Sequence, residues 1–83
     1  MKQATRLTLL SRHYCHLCQD MEEALGALAK ECGFVLEVLD VDADAALEKR
    51  YDELVPVLLH EGHELCHHFL DVGKVRDYLS KIG

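Results

Sequence analysis

The apolar pattern changes period at Cys15, and no other feature of the 83-residue chain constrains its fold as much. Before that point, Leu7-Thr8-Leu9-Leu10 is a compact apolar run, as in a strand buried on both faces. After it, Leu17, Met21, Ala24, Leu25, Leu28 and Cys32 recur at steps of three and four. That is the stripe of an amphipathic helix, with Asp20, Glu22, Glu23 and Lys30 on the wet side. Gly33 stands where a C′ residue would end it.

Phe34 to Val41 is rich in β-branched and large apolar residues, and the charge inside its apolar run, Glu37, places it at a sheet edge. Asp40, Asp42 and Asp44 follow at alternate positions; they read as loop acids, with Asp44 capping a short helix from Ala45 to Tyr51. This helix buries Leu47, Tyr51 and Leu54. Val55-Pro56-Val57-Leu58-Leu59 is the next strand, with the chain's one proline near its start, where no ladder donor is lost. His60-Glu61-Gly62-His63 reverses the chain, Gly62 supplying positive φ, and Glu64 to Phe69 returns. Asp71 caps a last helix with Val72, Val75, Leu79 and Ile82 inward, ended by Gly83. The order β-α-β-α-β-β-α predicts one domain over residues 1–83: a four-stranded mixed sheet with helices on both faces, an α/β fold.

Composition narrows the function classes. The net charge is −6 and the nine basic residues are scattered, which argues against nucleic acid as a partner. No segment approaches a membrane span, and the apolar run behind Lys2 and Arg6 is too short for a signal peptide. A cytoplasmic, reducing location is the expectation. Four cysteines there point to catalysis or metal binding rather than to a disulfide framework.

The chemistry concentrates in Tyr14-Cys15-His16-Leu17-Cys18. A thiol at a helix start faces free backbone N–H groups and the positive end of the helix dipole, and both favour thiolate. A second thiol three residues on lies about one turn along, near enough to attack a mixed disulfide formed at the first. Cys15 and Cys18 are therefore the candidate catalytic pair. Cys32 completes the helix stripe and reads as a packed core thiol, and Cys66 as a packed strand residue.

Ser11-Arg12-His13-Tyr14-Cys15-His16-Leu17-Cys18 resembles the glutaredoxin active-site segment, with a basic residue three before the first cysteine and an aromatic directly before it. Leu39-Asp40-Val41-Asp42, Tyr51 and Val55-Pro56-Val57-Leu58 resemble the pattern that follows in the thioredoxin superfamily. The match, from about Leu7 onward, is closest to the short C-x-x-C members of the glutaredoxin-like family. It implies a thioredoxin-like three-layer α/β/α fold and a thiol–disulfide oxidoreductase active in cell redox homeostasis. Cys15 would be the exposed nucleophile and Cys18 the more buried resolving thiol. Substrate binding would fall to Arg12, Tyr14, His16, Val55 and Pro56. In that arrangement Arg12 meets a glutathione carboxylate, Pro56 is cis against the disulfide, and the Val55 backbone pairs with peptide or glutathione.

The partners implied are a disulfide-bearing protein or a glutathione mixed disulfide, with glutathione or a thioredoxin reductase-type donor as reductant. No bound cofactor, no metal, no nucleic acid and no membrane are expected, and the protein should be a monomer. Two departures from the pattern stand out. Leu65-Cys66-His67-His68 replaces the glycine pair and acid after the last strand, and His16-Leu17 replaces the usual Pro-Tyr between the cysteines.

The alternative is a non-catalytic module of the same fold that binds zinc, an iron–sulfur cluster or a protein partner through the C-x-x-C. His13, His16, His67 and His68 could then join Cys15 and Cys18 around a metal. Against this, adjacent strand residues such as His67 and His68 point to opposite faces. His60 and His63 read as exposed residues beside the hairpin turn.

Overall fold

The computed structural model describes residues 5–82. Its elements are β1 (Arg6–Ser11), α1 (His16–Cys32), β2 (Val35–Asp40), a 3-10 turn (Val41–Ala43), α2 (Ala45–Tyr51), β3 (Val57–His60), β4 (His63–His67) and α3 (Val72–Ile82). The sheet order is β2-β1-β3-β4. β1 and β2 are parallel, as their helical crossover requires, and β3 is antiparallel to both β1 and β4. The strand carrying Glu37 is thus an edge strand, as expected from that charge.

The alternation of β1 divides the interior into two. Leu7 and Leu9, with Leu58 of β3, pack against Met21, Leu25 and Leu28 of α1 and Val75 of α3. Leu10, with Val57 and Leu59, packs on the other face with Val41, Tyr51 and the half-buried Leu47 of α2. The cross-strand partners follow the same division: Leu9 lies opposite Leu58, and Leu10 opposite Val57. Three layers result, with α1 and α3 on one side of the sheet and α2 on the other.

Local signals account for the boundaries. Gly33 takes φ +78° and donates its N–H to the Ala29 carbonyl, closing α1. The Asp44 carboxylate accepts from the N–H groups of Ala46 and Leu47, and Asp71 from that of Lys74. At the hairpin both Glu61 and Gly62 have positive φ, the conformation a tight two-residue reversal needs.

Five expectations are corrected. The buried stripe of α1 is Cys18, Met21, Leu25 and Leu28, while Leu17, Ala24 and Cys32 are exposed. Leu17 and Ala24 sit on the stripe's flank. Cys32 has the right angle but lies about 6 Å along the axis beyond Leu28, at the last residue of the helix. Its sulfur instead meets Arg76 Nη1 at 3.9 Å. In α3 the inward residues are Val75, Tyr78 and Leu79, whereas Val72 and Ile82 are exposed; Gly83 lies outside the described residues. β4 ends at His67, leaving Phe69 exposed beyond it, and Leu54 is likewise exposed. His60, read as exposed, is half-buried and bonds the Tyr78 hydroxyl.

One further feature has no sequence signal. Leu58 pairs with Cys66 but Leu59 with Glu64, so Leu65 is an extra residue in β4. This bulge lets the consecutive Leu65 and Cys66 both enter the α1-side core.

Candidate active site

The end of β1 and the start of α1 are joined by Arg12 to Cys15. Tyr14 turns this corner with φ +63°, a left-handed conformation uncommon for a residue with a Cβ, and its side chain is fully exposed. Cys15 is the N-cap of α1, with extended backbone. Its sulfur accepts the Cys18 N–H at 3.2 Å, in the position that serine or aspartate oxygens usually fill, and its carbonyl accepts the Gln19 N–H at 3.1 Å. Cys15 is partly exposed and Cys18 is 2% exposed, and both are free thiols.

The two sulfurs therefore have unequal environments. Burial pushes the Cys18 thiol up to about 12, and its hydrogen bond to Cys15 works in the same direction, against an opposing bond from the Arg12 backbone N–H. At neutral pH Cys18 is a proton-bearing group beneath an accessible sulfur. Cys66 is also pushed up by burial, within the α1-side core.

These burials set two expectations. Iodoacetamide should modify Cys15 and the exposed Cys32 in the folded protein, and Cys18 and Cys66 only after denaturation, as read by peptide mass spectrometry. Modification of Cys18 at the rate of Cys15 would contradict this geometry. The second concerns alkali. The folded chain keeps the Cys18 proton above the ordinary thiol value of 9.0, whereas the unfolded chain releases it. The unfolded state then binds fewer protons, so this contribution to stability is complete below 9.0 and is lost as pH rises toward about 12. Urea midpoints between about pH 8 and about pH 11 should fall less steeply in Cys18→Ala than in the parent.

The remaining predicted site residues are placed as follows. His16 opens α1 and is exposed. The Val55–Pro56 peptide is cis, and Pro56 is fully buried. Arg12 does not project freely. Its Nε meets both Asp42 carboxylate oxygens at 3.1 and 3.2 Å, its Nη2 meets Asp52 Oδ1 at 2.8 Å, and its Nη1 meets the Asp52 carbonyl at 3.2 Å. These bonds hold the guanidinium proton even more firmly than usual. Expected as a ligand contact, the side chain braces β1 to the turns around α2.

His67 and His68 also depart from expectation. His68 has φ +64°, which breaks strand alternation, and the two rings meet edge to face with centroids 4.8 Å apart. The His68 N–H bonds the Pro56 carbonyl and its Nε2 the Glu53 carbonyl, both at 2.8 Å. His67 Nδ1 meets Glu64 at 2.9 Å, and His13 Nε2 meets Asp40 at 3.2 Å. Among the described residues, no three or more His, Cys, Asp or Glu side chains gather as a metal site would need. Asp40, Asp42 and Asp52 had no predicted part at this end. Their partners lie 27 to 40 residues away, beyond the reach of any local pattern.

Comparison with known proteins agrees with this architecture. Residues 6–80 match the family described as Glutaredoxin-like domain (DUF836). An uncharacterized protein of Mycobacterium tuberculosis is 30% identical over 81 residues, covering 92% of this chain and 84% of its own length. Among solved structures, protein Ne2328 from Nitrosomonas europaea superposes with a TM-score of 0.83 at 38% identity, covering 94% of each chain. Protein XcR50 from X. campestris gives a TM-score of 0.68 at 38% identity over 90% of this chain and 96% of its own. Thioredoxin 1 from Thermosipho africanus, at 17% identity and a TM-score of 0.65 over 93% and 97% of the two chains, shares the fold.

Proposed function

Because the chain belongs to the glutaredoxin-like domain family, we propose that it is a thiol–disulfide oxidoreductase cycling Cys15 and Cys18 between dithiol and disulfide. The observation that carries this reading is the accessible Cys15 sulfur at the α1 N-cap, accepting the Cys18 N–H at 3.2 Å, with the buried Cys18 thiol three residues along the same helix. A backbone N–H points at the atom that must carry negative charge.

The Cys15 thiolate attacks one sulfur of a substrate disulfide. A new S–S bond forms, the old one breaks, and the departing thiolate takes a proton from water. Cys18 then gives up its proton and attacks Cys15 Sγ, closing the intramolecular disulfide and releasing the second substrate thiolate, which is protonated in turn. The substrate gains two electrons and two protons. Electrons return to the Cys15–Cys18 disulfide from glutathione or from the dithiol of a thioredoxin reductase-type partner. The Val55 backbone, beside the cis peptide, offers a strand-like edge to the substrate.

A redox titration with a thiol count tests the reading. The protein should lose two thiols reversibly as one two-electron couple, each tenfold change in the oxidised-to-reduced ratio spanning about 30 mV. A chain that loses no thiols, or loses them one at a time, does not do this chemistry.

A further inference from the structure

Building on the oxidoreductase reading, we propose that the disulfide this site receives is carried by a polypeptide with apolar and basic residues beside its cysteines, and that glutathione is a poor occupant. Two independent features of the same end of the sheet lead there.

The first is an exposed apolar rim. Tyr14, directly before Cys15, is fully exposed, and Phe69, just past β4, is 70% exposed. Leu17 in the first turn of α1 and Leu54 beside Val55 are also exposed. The hydrogen bonds of His68 to the Glu53 and Pro56 carbonyls draw the segment before Phe69 to the segment bearing Leu54 and Val55. A polypeptide can cover such side chains around a reacting sulfur; a tripeptide with one thiol and two carboxylates cannot.

The second is charge. Asp40, Asp42, Asp52 and Glu53 stand at this end, and Arg12, the cation nearest Cys15 in the chain, is consumed by Asp42 and Asp52. Lys49 and Arg50 belong to α2, packed on the opposite face from α1, and Arg50 lies over the Tyr51 ring. Lys74, which lines a pocket with Phe69, is flanked there by Glu64 and Asp71, so an incoming carboxylate meets acids in excess and an occupied guanidinium. A lysine or arginine meets carboxylates, with the long-range attraction that raises association rates.

The test uses the whole chain, dithiothreitol as regenerating dithiol, and pH 8, above the ordinary histidine range. Two synthetic peptides share one intramolecular disulfide and a phenylalanine and differ only in lysine or glutamate flanks. Glutathione disulfide and uncharged hydroxyethyl disulfide are the small substrates. At about 20 mM salt, kcat/KM should favour the lysine peptide over the glutamate peptide by about tenfold, and over glutathione disulfide by at least that. The peptide ratio should shrink toward unity at about 500 mM salt. Glu53→Gln, which removes one of these charges and keeps the side chain's shape, should narrow the ratio of the two peptides. Asp42→Asn with Asp52→Asn frees Arg12 and should raise the turnover of glutathione disulfide.

Equal peptides at low salt, or glutathione disulfide as the better substrate, overturns the proposal while leaving the oxidoreductase reading intact. Failure to reduce even hydroxyethyl disulfide overturns both.

Discussion

Replacing Cys15 by serine should lower the turnover of any disulfide substrate on the order of 1,000-fold or more, because a hydroxyl is not ionised at neutral pH and is a far weaker nucleophile. The fold should survive, since a serine oxygen can accept the Cys18 N–H that Cys15 Sγ now takes. Circular dichroism and a denaturation midpoint close to the parent would confirm that the loss is chemical. Cys18→Ser should behave differently. Its Cys15 still attacks, but nothing displaces the product, so the protein accumulates as a mixed disulfide. Intact mass spectrometry should show a gain of one substrate half per chain, removable by dithiothreitol. Retained turnover in Cys15→Ser would move the nucleophile elsewhere and end the mechanism proposed for this pair.

The second large effect concerns the fold. Leu58 is fully buried in β3, paired across to Leu9 and packed toward α1 and α3. Leu58→Ala removes three carbons from the centre of the sheet and should cost about 2–5 kcal/mol. A domain of this size has roughly 5–15 kcal/mol in all, so the loss is a large share of it. At about 4–8 °C per kcal/mol, the melting temperature should fall by at least about 8 °C. Leu17→Ala, at a position that the periodicity of α1 marks as inward but the structure exposes, should change stability by less than about 0.5 kcal/mol. A thermal melt of Leu17→Ala close to the parent's would place this side chain outside the buried stripe of α1.

Most of the architecture was legible because its signals are local. The shift of period at Cys15, Gly33 after the α1 stripe, Asp44 before α2 and Asp71 before α3 each act within a turn of where they appear, and each is used as expected. The edge position of β2 followed from one glutamate. Angle was readable and extent was not: Cys32 and Ile82 have inward phases but are the last residues of α1 and α3, where both are exposed. Alternation failed at His67 and His68 because a positive φ interrupts it, and at Leu65 because of a bulge.

The candidate site divides in the same way. Cys15 and Cys18 are neighbours in sequence, and their spacing alone places them one turn apart. The role expected of Arg12 depended on what else would reach it. Asp42 and Asp52 come from two other segments, and only the folded chain shows that they occupy the guanidinium first.

The exposed thiol at the far end of α1 has a practical consequence. Seventeen residues of helix set Cys32 roughly 25 Å from Cys15, so within one molecule they cannot join. Covalent dimers joined through Cys32 on a non-reducing gel of an aged sample would thus record storage in air and not the redox state of the Cys15–Cys18 pair. Cys32→Ser gives a cleaner protein in which the accessible thiol left is Cys15, so disulfide formation reports the proposed Cys15–Cys18 couple.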